Sequence, residues 1–567
     1  MLTPFHYAFV QRGLLEILLL SVGAGLLGTW IVLRGLAFYS HAVATASFPG
    51  LVLADGLGFA APLGAFAAAL AFAFGVERLG RGDGDRDSHT ALVLVGALAL
   101  GVVLASDVFH SAASVESLLF GSLLLIGHGD LVFAGAASAA VLAASYVLGR
   151  RWLALGFDPA AAAAFGARSP LPDAILLVLV ALGVVSALAA LGALLAAAIF
   201  VVPAATVRLL TRRLWIWQLG SVALVAAEGV VGLWLSVELN APPGAAVAVL
   251  TGAVFAVVAA ARALRPRLVL AAAAAALLLV GCGTSAGGGR GSLSVVATTT
   301  QIGDWARAVG GADVDVHQIL QPNTDPHEYE PRPQDVVATA GAAVVLENGD
   351  GLDGWMTKVV SQAGGKPAVV DLGGHVRVVG DDPHWWHDPR NAESAVGEIR
   401  DAFRRADPAH ARAYARRAAR YLARLRTLDR GIAACLAKVP SADRKLVTDH
   451  DAFGYFARRY GLAVVGAVIA SQTTQAQPSA GETARLIALV RREHVRAVFP
   501  ESSVSPRLAR TIARETGASS AYTLYGDTLG PAGSAGATYL GMEQANADAI
   551  VRGLTGGKEH CRIGGLT

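Results

Sequence analysis

Residues 262–282, which read RALRPRLVLAAAAAALLLVGC, divide the chain into two unlike halves. Its first six residues include three arginines (Arg262, Arg265 and Arg267), an apolar run follows, and the stretch ends with a glycine and Cys282. That order is typical of a secretory signal peptide, although here it stands in the middle of a chain. The alternative interpretation is a short membrane helix whose end carries Cys282. Under either interpretation, we expect the residues after Cys282 to lie outside the cytoplasm.

The two halves differ in composition, and the net charge of +3 over 567 residues conceals this difference. Residues 1–282 are dominated by Ala, Leu, Val and Gly, and their apolar runs are too long and too many for a soluble core. Residues 290–567 carry most of the charged side chains and are long enough for a two-lobed soluble domain. No Gly-x-x-x-x-Gly-Lys-Ser/Thr phosphate loop occurs, so we assign any ATP hydrolysis to another chain.

About nine membrane crossings are predicted in the first half, and basic residues collect in alternate loops between them. The apolar spans lie near residues 13–33, 43–57, 61–76, 90–106, 130–149, 173–190, 191–208, 215–237 and 245–261. Placing the basic loops in the cytoplasm puts the N-terminus outside. Arg12 is the one basic residue that does not fit this orientation. Residues 262–267 then lie inside, and the apolar run that follows carries the chain out. This orientation agrees with the signal-like pattern, although the two rest on different residues.

Two features of this half have a functional and a structural interpretation. Residues 153–170 are Ala-rich and cytoplasmic in this topology, so they form either a docking helix for a partner or a solvated connector. His41 and Glu228 are ionisable groups at membrane depth, where such groups are costly, so they are candidate members of a transport pathway. A packed, neutral His41 and a Glu228 hydrogen-bonded between helices are the alternatives.

The second half is predicted to be an α/β domain behind a flexible linker. Residues 283–292 are rich in Gly and Ser, a composition that lets a domain move near its anchor. A helix is expected from residue 302, and strands are expected at 293–298, 342–346, 368–371, 445–448 and 497–500. Strands that alternate with amphipathic helices indicate parallel sheets.

A long helical stretch separates two such α/β groups. It covers residues 392–438, is rich in Ala and Arg and is broken near Asp407-Pro408. We therefore expect two lobes bridged by a long helix. The arginines of this helix are interpreted as a solvated face, and no nucleic-acid site is expected outside the cytoplasm.

Four metal-binding side chains stand in turn-rich segments near the predicted strands: His327, His384, His450 and Asp527. Loops at the strand ends of a two-lobed α/β fold face the crevice where ligands bind. Three imidazoles and one carboxylate suit Zn²⁺, whereas Mn²⁺ usually takes more oxygen ligands. A histidine in a loop is also commonly a surface residue, and that interpretation applies to each of these taken alone.

Other polar residues compete with these four or support them. His387 is a rival to His384, three residues away. Glu328, Asp388 and Glu501 are candidates for carboxylates that fix the tautomer of a ligand ring. The remaining histidines of this half lack such turns and are expected at the surface: His317, His375, His410, His494 and His560.

The cysteines do not define a disulfide framework, because the chain contains only three. Cys282 belongs to the signal-like stretch. Cys435 and Cys561 either pair or stay free, and the sequence leaves both outcomes open.

The first half resembles the permease subunits of zinc- and manganese-type ABC importers. The matching stretches are Leu33-Arg34-Gly35-Leu36-Ala37-Phe38, Phe48-Pro49-Gly50, Phe120-Gly121-Ser122-Leu123, Gly156-Phe157-Asp158-Pro159, Val202-Pro203-Ala204-Ala205 and Ala241-Pro242-Pro243-Gly244. The resemblance implies that residues 153–170 dock on a cytoplasmic ATPase and that a second permease copy completes a homodimer. Residues 262–282 resemble a bacterial lipoprotein signal, in which the cysteine is lipidated and becomes a new N-terminus.

The second half resembles the metal-binding receptor proteins of the same importers. The matching motifs are Pro326-His327-Glu328-Tyr329-Glu330-Pro331, Asp382-Pro383-His384-Trp385, His450-Asp451-Ala452-Phe453-Gly454-Tyr455-Phe456 and Gly526-Asp527-Thr528-Leu529-Gly530. The resemblance implies that His327, His384, His450 and Asp527 are the metal ligands. A histidine at the third position is typical of zinc members and a carboxylate of manganese members, so His450 favours zinc.

The sequence therefore predicts a multi-domain protein: an all-α polytopic membrane domain, then an α/β two-lobed metal-binding domain with a long bridging helix. The predicted boundaries are 1–261 for the permease, 262–282 for the signal-like segment, 283–292 for the linker and 293–567 for the receptor. The expected function is zinc uptake across a bacterial plasma membrane, with the receptor outside and no catalysis by this chain. Manganese import by the same architecture and a membrane-anchored zinc hydrolase are the alternatives.

Overall fold

The computed structural model describes residues 8–79, 86–104, 123, 126–157, 171–263, 292–329, 331–377, 380, 382–469, 474 and 480–566. Three predicted features lie outside these residues: the signal-like stretch beyond residue 263 with Cys282, the linker up to residue 291, and the candidate docking loop beyond residue 157. The chain forms two compact units, which are Met1–Ser285 with Glu330–Gln334, and Ala286–Tyr329 with Asp335–Thr567.

The described residues of the first unit form helices joined by short connections. Its helices are α1 (Ala8–Arg34), α2 (Ala37–Ala46), α3 (Phe48–Leu57), α4 (Ala61–Leu79), α5 (Arg86–Val103), α6 (His128–Phe157), α7 (Leu171–Leu210), α8 (Leu214–Leu239) and α9 (Pro243–Ala263). Seven helical segments of the described part are long and apolar enough to cross a membrane, and two shorter apolar helices are Asp87–Gly101 and Ala198–Leu210.

The predicted apolar spans correspond to these helices, with two local differences. The span expected at 43–57 is divided into α2 and α3, since Pro49 has no backbone N–H to continue the ladder of α2. The spans expected at 173–190 and 191–208 follow each other directly in α7. They are separated at Gly192, whose φ of 70° and ψ of 169° break the helix without a loop.

Helix α1 packs closely between α6 and α8. A Cβ on Gly25 of α1 would lie 2.5 Å from the backbone nitrogen of Val222 in α8, so only glycine permits this approach. Gly13 lies near Leu233 at the other end of the same pair, which shows that α1 and α8 are antiparallel. Against α6, the Ser138 hydroxyl donates to the carbonyl oxygen of Leu19 at 2.7 Å.

The second unit alternates strands and helices. Its elements are β1 (Leu293–Ala297), α10 (Thr300–Gly310), β2 (Val314–Gln318), α11 (Pro333–Gly341), β3 (Val344–Glu347), α12 (Trp355–Ala363), β4 (Ala368–Asp371), α13 (Pro389–Ala406), α14 (Ala411–Ala437), β5 (Lys445–His450), α15 (Gly454–Tyr460), β6 (Ala463–Ile469), α16 (Ala480–Arg492), α17 (Arg507–Thr516) and α18 (Tyr539–Thr555). Strands β1 to β4 form a parallel sheet in the order β2-β1-β3-β4, and β5 pairs in parallel with β6.

The predicted two-lobed α/β arrangement with a long bridging helix is confirmed. The bridge consists of α13 and α14, and it breaks at Asp407 and Pro408 as expected. Strands β2 and β6 are not among the predicted strands; β2 reads VDVHQ, an alternation of apolar and polar residues that suits its place at the sheet edge. The strand predicted at 497–500 forms only isolated bridges, one of them between Phe499 and Thr448 of β5.

A core of aromatic residues lies between α10, the turn before α13 and α18. Trp305 of α10, Trp385 and Tyr539 of α18 are all fully buried, and the Trp305 ring lies 5.7 Å from Trp385 and 5.0 Å from Tyr539. Large buried aromatic rings contribute strongly to stability through the apolar area they remove from water. This packing fixes the segment that carries His384, immediately before Trp385.

Candidate metal-binding site

The four candidate side chains lie on segments that the two lobes bring together. His327 belongs to a single helical turn, Pro326–Glu328, where the Asp325 carboxylate caps the His327 N–H at 2.9 Å. His384 precedes the turn that leads into α13, and its own N–H is accepted by Asp382 at 3.0 Å. His450 is the last residue of β5, and Asp527 stands in the loop ahead of α18. Such loops at the ends of strands are where ligands bind in open α/β folds.

The ligand atoms of the four side chains converge on one point. One nitrogen from each ring and one oxygen of Asp527 all lie within 4.8 Å of one another. The Asp527 Oδ1 atom is 3.2 Å from Nε2 of His450, 3.4 Å from Nε2 of His384 and 3.9 Å from Nε2 of His327. The Nε2 atoms of His450 and His384 are 3.3 Å apart.

These separations match the edges of a small coordination polyhedron. A tetrahedron with metal–ligand bonds of 2.0–2.1 Å has edges of roughly 3.3 Å. Three of the four measured distances lie within about 0.1 Å of that value, and the fourth, to His327, is longer. The four candidate atoms are therefore spaced as the ligands of one four-coordinate ion would be.

Burial gives the site its electrostatic character. Asp527, His384 and His450 are fully buried, and His327 is nearly so. Burial lowers the pKa of His327 to about 3, which leaves its ring neutral and able to coordinate a cation. Burial acts to raise the pKa of Asp527, but the rings of His450, His384 and His327 hold that pKa well below its usual value, so the group is a carboxylate.

Two carboxylates stand behind the ligand rings. Glu501 approaches Nδ1 of His450 at 2.9 Å and also accepts the His450 backbone N–H at 2.9 Å. Asp382 accepts from the His384 ring at Nδ1, at 2.7 Å. A carboxylate in this position holds the proton on Nδ1 and directs Nε2 toward the centre. Glu501 is in turn fixed by its own N–H, which donates to Asp449 at 2.8 Å.

The Asp527 loop is bonded to the first lobe. The Gln301 side-chain amide donates to the Asp527 carbonyl at 2.9 Å, and the Thr300 hydroxyl accepts the N–H of Leu529 at 2.8 Å. The N–H of Asn323 donates to the hydroxyl of Thr528 at 3.0 Å. These bonds hold the second lobe's carboxylate at the centre together with the histidines of the first lobe.

The structure places the predicted rival His387 and two of the three predicted supporting carboxylates, whereas the side chain of Glu328 lies outside its described part. His387 lies outside the cluster: it is fully buried, and its Nδ1 bonds Glu543 at 2.7 Å. Of the predicted supporting carboxylates, Glu501 lies behind a ligand ring, whereas Asp388 caps the start of α13. Sequence reasoning missed Asp382, although its place two residues before His384 in Asp-Pro-His was a usable signal.

The histidines predicted at the surface behave differently from the four of the cluster. The His375, His410 and His560 side chains are between 43% and 54% exposed, and each lies near a carboxylate. His317 is the least exposed of those with a carboxylate partner, at 34%, and bonds Asp335 at 2.8 Å.

The structure also describes the two receptor cysteines and the two ionisable candidates of the helical unit. Cys435 and Cys561 form a disulfide that links α14 to the segment after α18. In the helical unit, His41 on α2 is partly buried. Glu228 on α8 is buried and accepts a hydrogen bond from Thr251 of α9 at 3.0 Å, which is the interhelical alternative.

Family models match both halves of the chain. Residues 6–262 match the family described as the ABC 3 transport family, and residues 295–553 match the family described as the zinc-uptake complex component A, periplasmic. Both are transport components without enzymatic activity, and membership of an ABC transporter family implies membrane association and an ATPase partner.

Individual relatives match about half of the chain. The manganese-binding lipoprotein MntA of Bacillus subtilis is 34% identical over 307 residues, which is 51% of this chain and all of that protein. The iron-binding protein YfeA of Yersinia pestis is 32% identical over 272 residues, which is 46% of this chain and 86% of that protein. Among solved structures, the periplasmic zinc binding protein TroA from Treponema pallidum is 29% identical with a TM-score of 0.44, over 47% of this chain and 99% of that one.

The family matches cover the helical unit and the two-lobed unit separately, and together they account for nearly all the described residues. The chain is thus a natural fusion of a metal ABC transporter permease of the ABC 3 transport family with a substrate-binding receptor of the zinc-uptake component A family.

Proposed function

We propose that this chain takes up zinc, with the receptor binding the ion through His327, His384, His450 and Asp527. The observation that carries the proposal is the convergence of three Nε2 atoms and one carboxylate oxygen within 4.8 Å. Three nitrogen ligands and one oxygen ligand in a closed, four-coordinate geometry favour Zn²⁺ over harder cations. The ion is the transported substrate.

Manganese is the second candidate, because the relative MntA is named for manganese binding. Mn²⁺ takes more oxygen ligands than the four groups supply, and water or the second oxygen of Asp527 would complete its coordination. A membrane-anchored zinc hydrolase has less support, since a catalytic zinc keeps an open position for water and both matching families are transport components.

The test of the substrate is a competition titration of the purified full-length chain with Zn²⁺ and Mn²⁺ against a chromophoric chelator. The proposal expects one tight zinc site that binds zinc more strongly than manganese. His450→Ala is expected to lower zinc affinity at least 100-fold, because it removes a ligand from a buried site. His375→Ala is the matched control, since this histidine is 49% exposed and lies outside the cluster. Equal affinity in His450→Ala and the parent chain would refute the assignment of the ligands.

The proposed topology places the receptor outside the cytoplasm of a bacterial cell and the basic loops of the permease inside. The Cys435–Cys561 disulfide supports it, because stable disulfides belong to oxidising compartments. Cleavage ahead of Cys282 would give two products, and an uncleaved signal would give one. Intact mass measured on protein from expressing cells distinguishes these outcomes and reports lipidation.

We propose further that residues 153–170 dock on the cytoplasmic ATPase and that two permease copies form the pore. Both rest on the resemblance to importer permeases. Deleting residues 158–170 is expected to abolish metal uptake while leaving zinc binding by the receptor unchanged. Uptake at the parent rate would exclude this segment as the docking site.

A further inference from the structure

Glu16 of α1 is a buried carboxyl group inside the helical unit. Its side chain is 0% exposed, and neither of its carboxylate oxygens has a hydrogen-bond partner among the described residues. It lies six residues, or about 9 Å along the helix axis, inside the apolar span Val10–Arg34. An isolated carboxylate at such a depth is destabilising, so a group of this kind is retained for a function.

A second carboxylate stands beside it. Asp130 stands in the first turn of α6, the helix that packs beside α1, and one of its carboxylate oxygens accepts the N–H of Gly127 at 3.0 Å. Helices α1 and α6 run in the same direction, with Leu19 bonded to Ser138 and Trp30 bonded to Ser145. Gly23 of α1 lies directly against Ser138 of α6, so counting back seven residues to Glu16 and eight to Asp130 places the two at nearly the same depth, within about 2 Å along the helix axes.

The helix registry therefore places two carboxylates at nearly the same level on neighbouring helices. His128 is exposed, Asp130 is partly buried and Glu16 is fully buried. Glu16 and Asp130 together carry two negative charges, which one divalent cation neutralises. Their oxygens are ligands that hard and borderline divalent cations accept.

We propose that Glu16, with Asp130 supplying the second charge, forms a divalent-cation site inside the permease unit, separate from the receptor site. In a transporter this site would take the ion after the receptor releases it. The inference deepens the proposed uptake function and rests on it for the physiological role, whereas the binding site itself rests only on the residues of the helical unit.

The test counts bound Mn²⁺ by electron paramagnetic resonance on the full-length chain in lipid nanodiscs. Mn²⁺ is chosen because it favours oxygen ligands and loses its free-ion signal when bound. The background variant Asp527→Ala removes the receptor site. We expect one ion to stay bound in this background, and we expect Glu16→Gln to lower its affinity at least tenfold.

Glu238→Gln is the matched control. This carboxylate is exposed at the end of α8 that lies beside the start of α1, and the substitution is chemically the same. It is expected to leave the membrane-site affinity unchanged. Asp130→Asn, at a partly buried position, is expected to weaken binding at least threefold and covers the case in which Glu16→Gln does not fold.

The outcomes separate the two proposed sites. If the Asp527→Ala background binds no Mn²⁺, or if Glu16→Gln and Asp130→Asn both bind it as the background does, the membrane site is refuted. If Asp527→Ala binds as many ions as the parent chain, the receptor site is refuted and the membrane site stands. If Glu16 has only a structural role, Glu16→Gln would change the melting temperature of the metal-free protein but leave the number of bound ions unchanged.

Discussion

At the scale of single residues, the candidate site depends on carboxylates that contact the candidate ligand rings on the side away from the centre. A ring that coordinates through Nε2 is most effective when an acceptor holds the proton on Nδ1. Asp382 does this for His384 through a hydrogen bond, and the Glu501 carboxylate lies 2.9 Å from Nδ1 of His450 as a charged contact. Both acceptors are buried, so their negative charge also strengthens the attraction of the site for a cation.

Glu501→Gln is expected to weaken zinc affinity by about tenfold, since the neutral amide holds the His450 ring less firmly and removes a negative charge near the ion. Competition titration measures the change, and nitrogen NMR of the His450 ring reports which tautomer is present. Glu398→Gln provides the matched control, because that carboxylate lies beside the exposed His375 at 3.8 Å. An unchanged affinity with an unchanged tautomer would show that Glu501 does not position the ring.

His384 and His387 are three residues apart and are expected to have opposite roles. His387→Ala should leave zinc affinity unchanged but lower the free energy of unfolding by about 3 kcal/mol, because it leaves the buried Glu543 carboxyl without its hydrogen-bond partner. His384→Ala should abolish tight zinc binding. Denaturant unfolding and zinc titration of both variants decide the matter, and loss of zinc binding in a folded His387→Ala protein would contradict this division.

At the scale of elements, the bridge between the lobes is tied at its far end by a covalent bond. The Cys435–Cys561 disulfide joins the end of α14 to the segment after α18 and closes a loop of 126 residues. Helix α14 also packs its buried face, including Tyr421 and Leu428, into the main core of the receptor. The bridge is therefore a rigid element against which the two lobes are positioned.

Replacing both cysteines by serine is expected to lower the unfolding free energy of the receptor by about 2–5 kcal/mol, since the crosslink restricts a long loop in the unfolded chain. Hydrogen exchange of receptor peptides measures this without unfolding the membrane unit. Because the disulfide lies outside the ligand cluster, zinc affinity of the folded double variant should match that of the parent. Unchanged protection from exchange would show that the crosslink does not stabilise the receptor.

At the scale of the whole molecule, an ion and its receptor stabilise each other by linkage. Free zinc at 100 times its dissociation constant should stabilise the receptor unit by about 2.7 kcal/mol. Hydrogen exchange with and without a chelator resolves this effect in residues 293–566, where the four candidate ligands lie on both lobes. Asp527→Ala is expected to remove the difference, and a receptor equally protected with and without zinc would exclude binding at this site.

The sequence by itself determined the two-part architecture, because long apolar runs require lipid and alternating short strands and helices require a packed α/β core. It also indicated which four residues to test, since each stands in a turn near a predicted strand. It left the choice between His384 and His387 and the pairing of Cys435 with Cys561 open, and it did not single out Glu16.

Those questions were decided only by the tertiary structure, because they concern distances between residues far apart in the chain. His450 and Asp527 are 77 positions apart in the sequence, yet their ligand atoms are 3.2 Å apart. His387 is turned away by its bond to Glu543, 156 residues later. A local pattern constrains backbone conformation, whereas the approach of distant side chains depends on how the whole core packs.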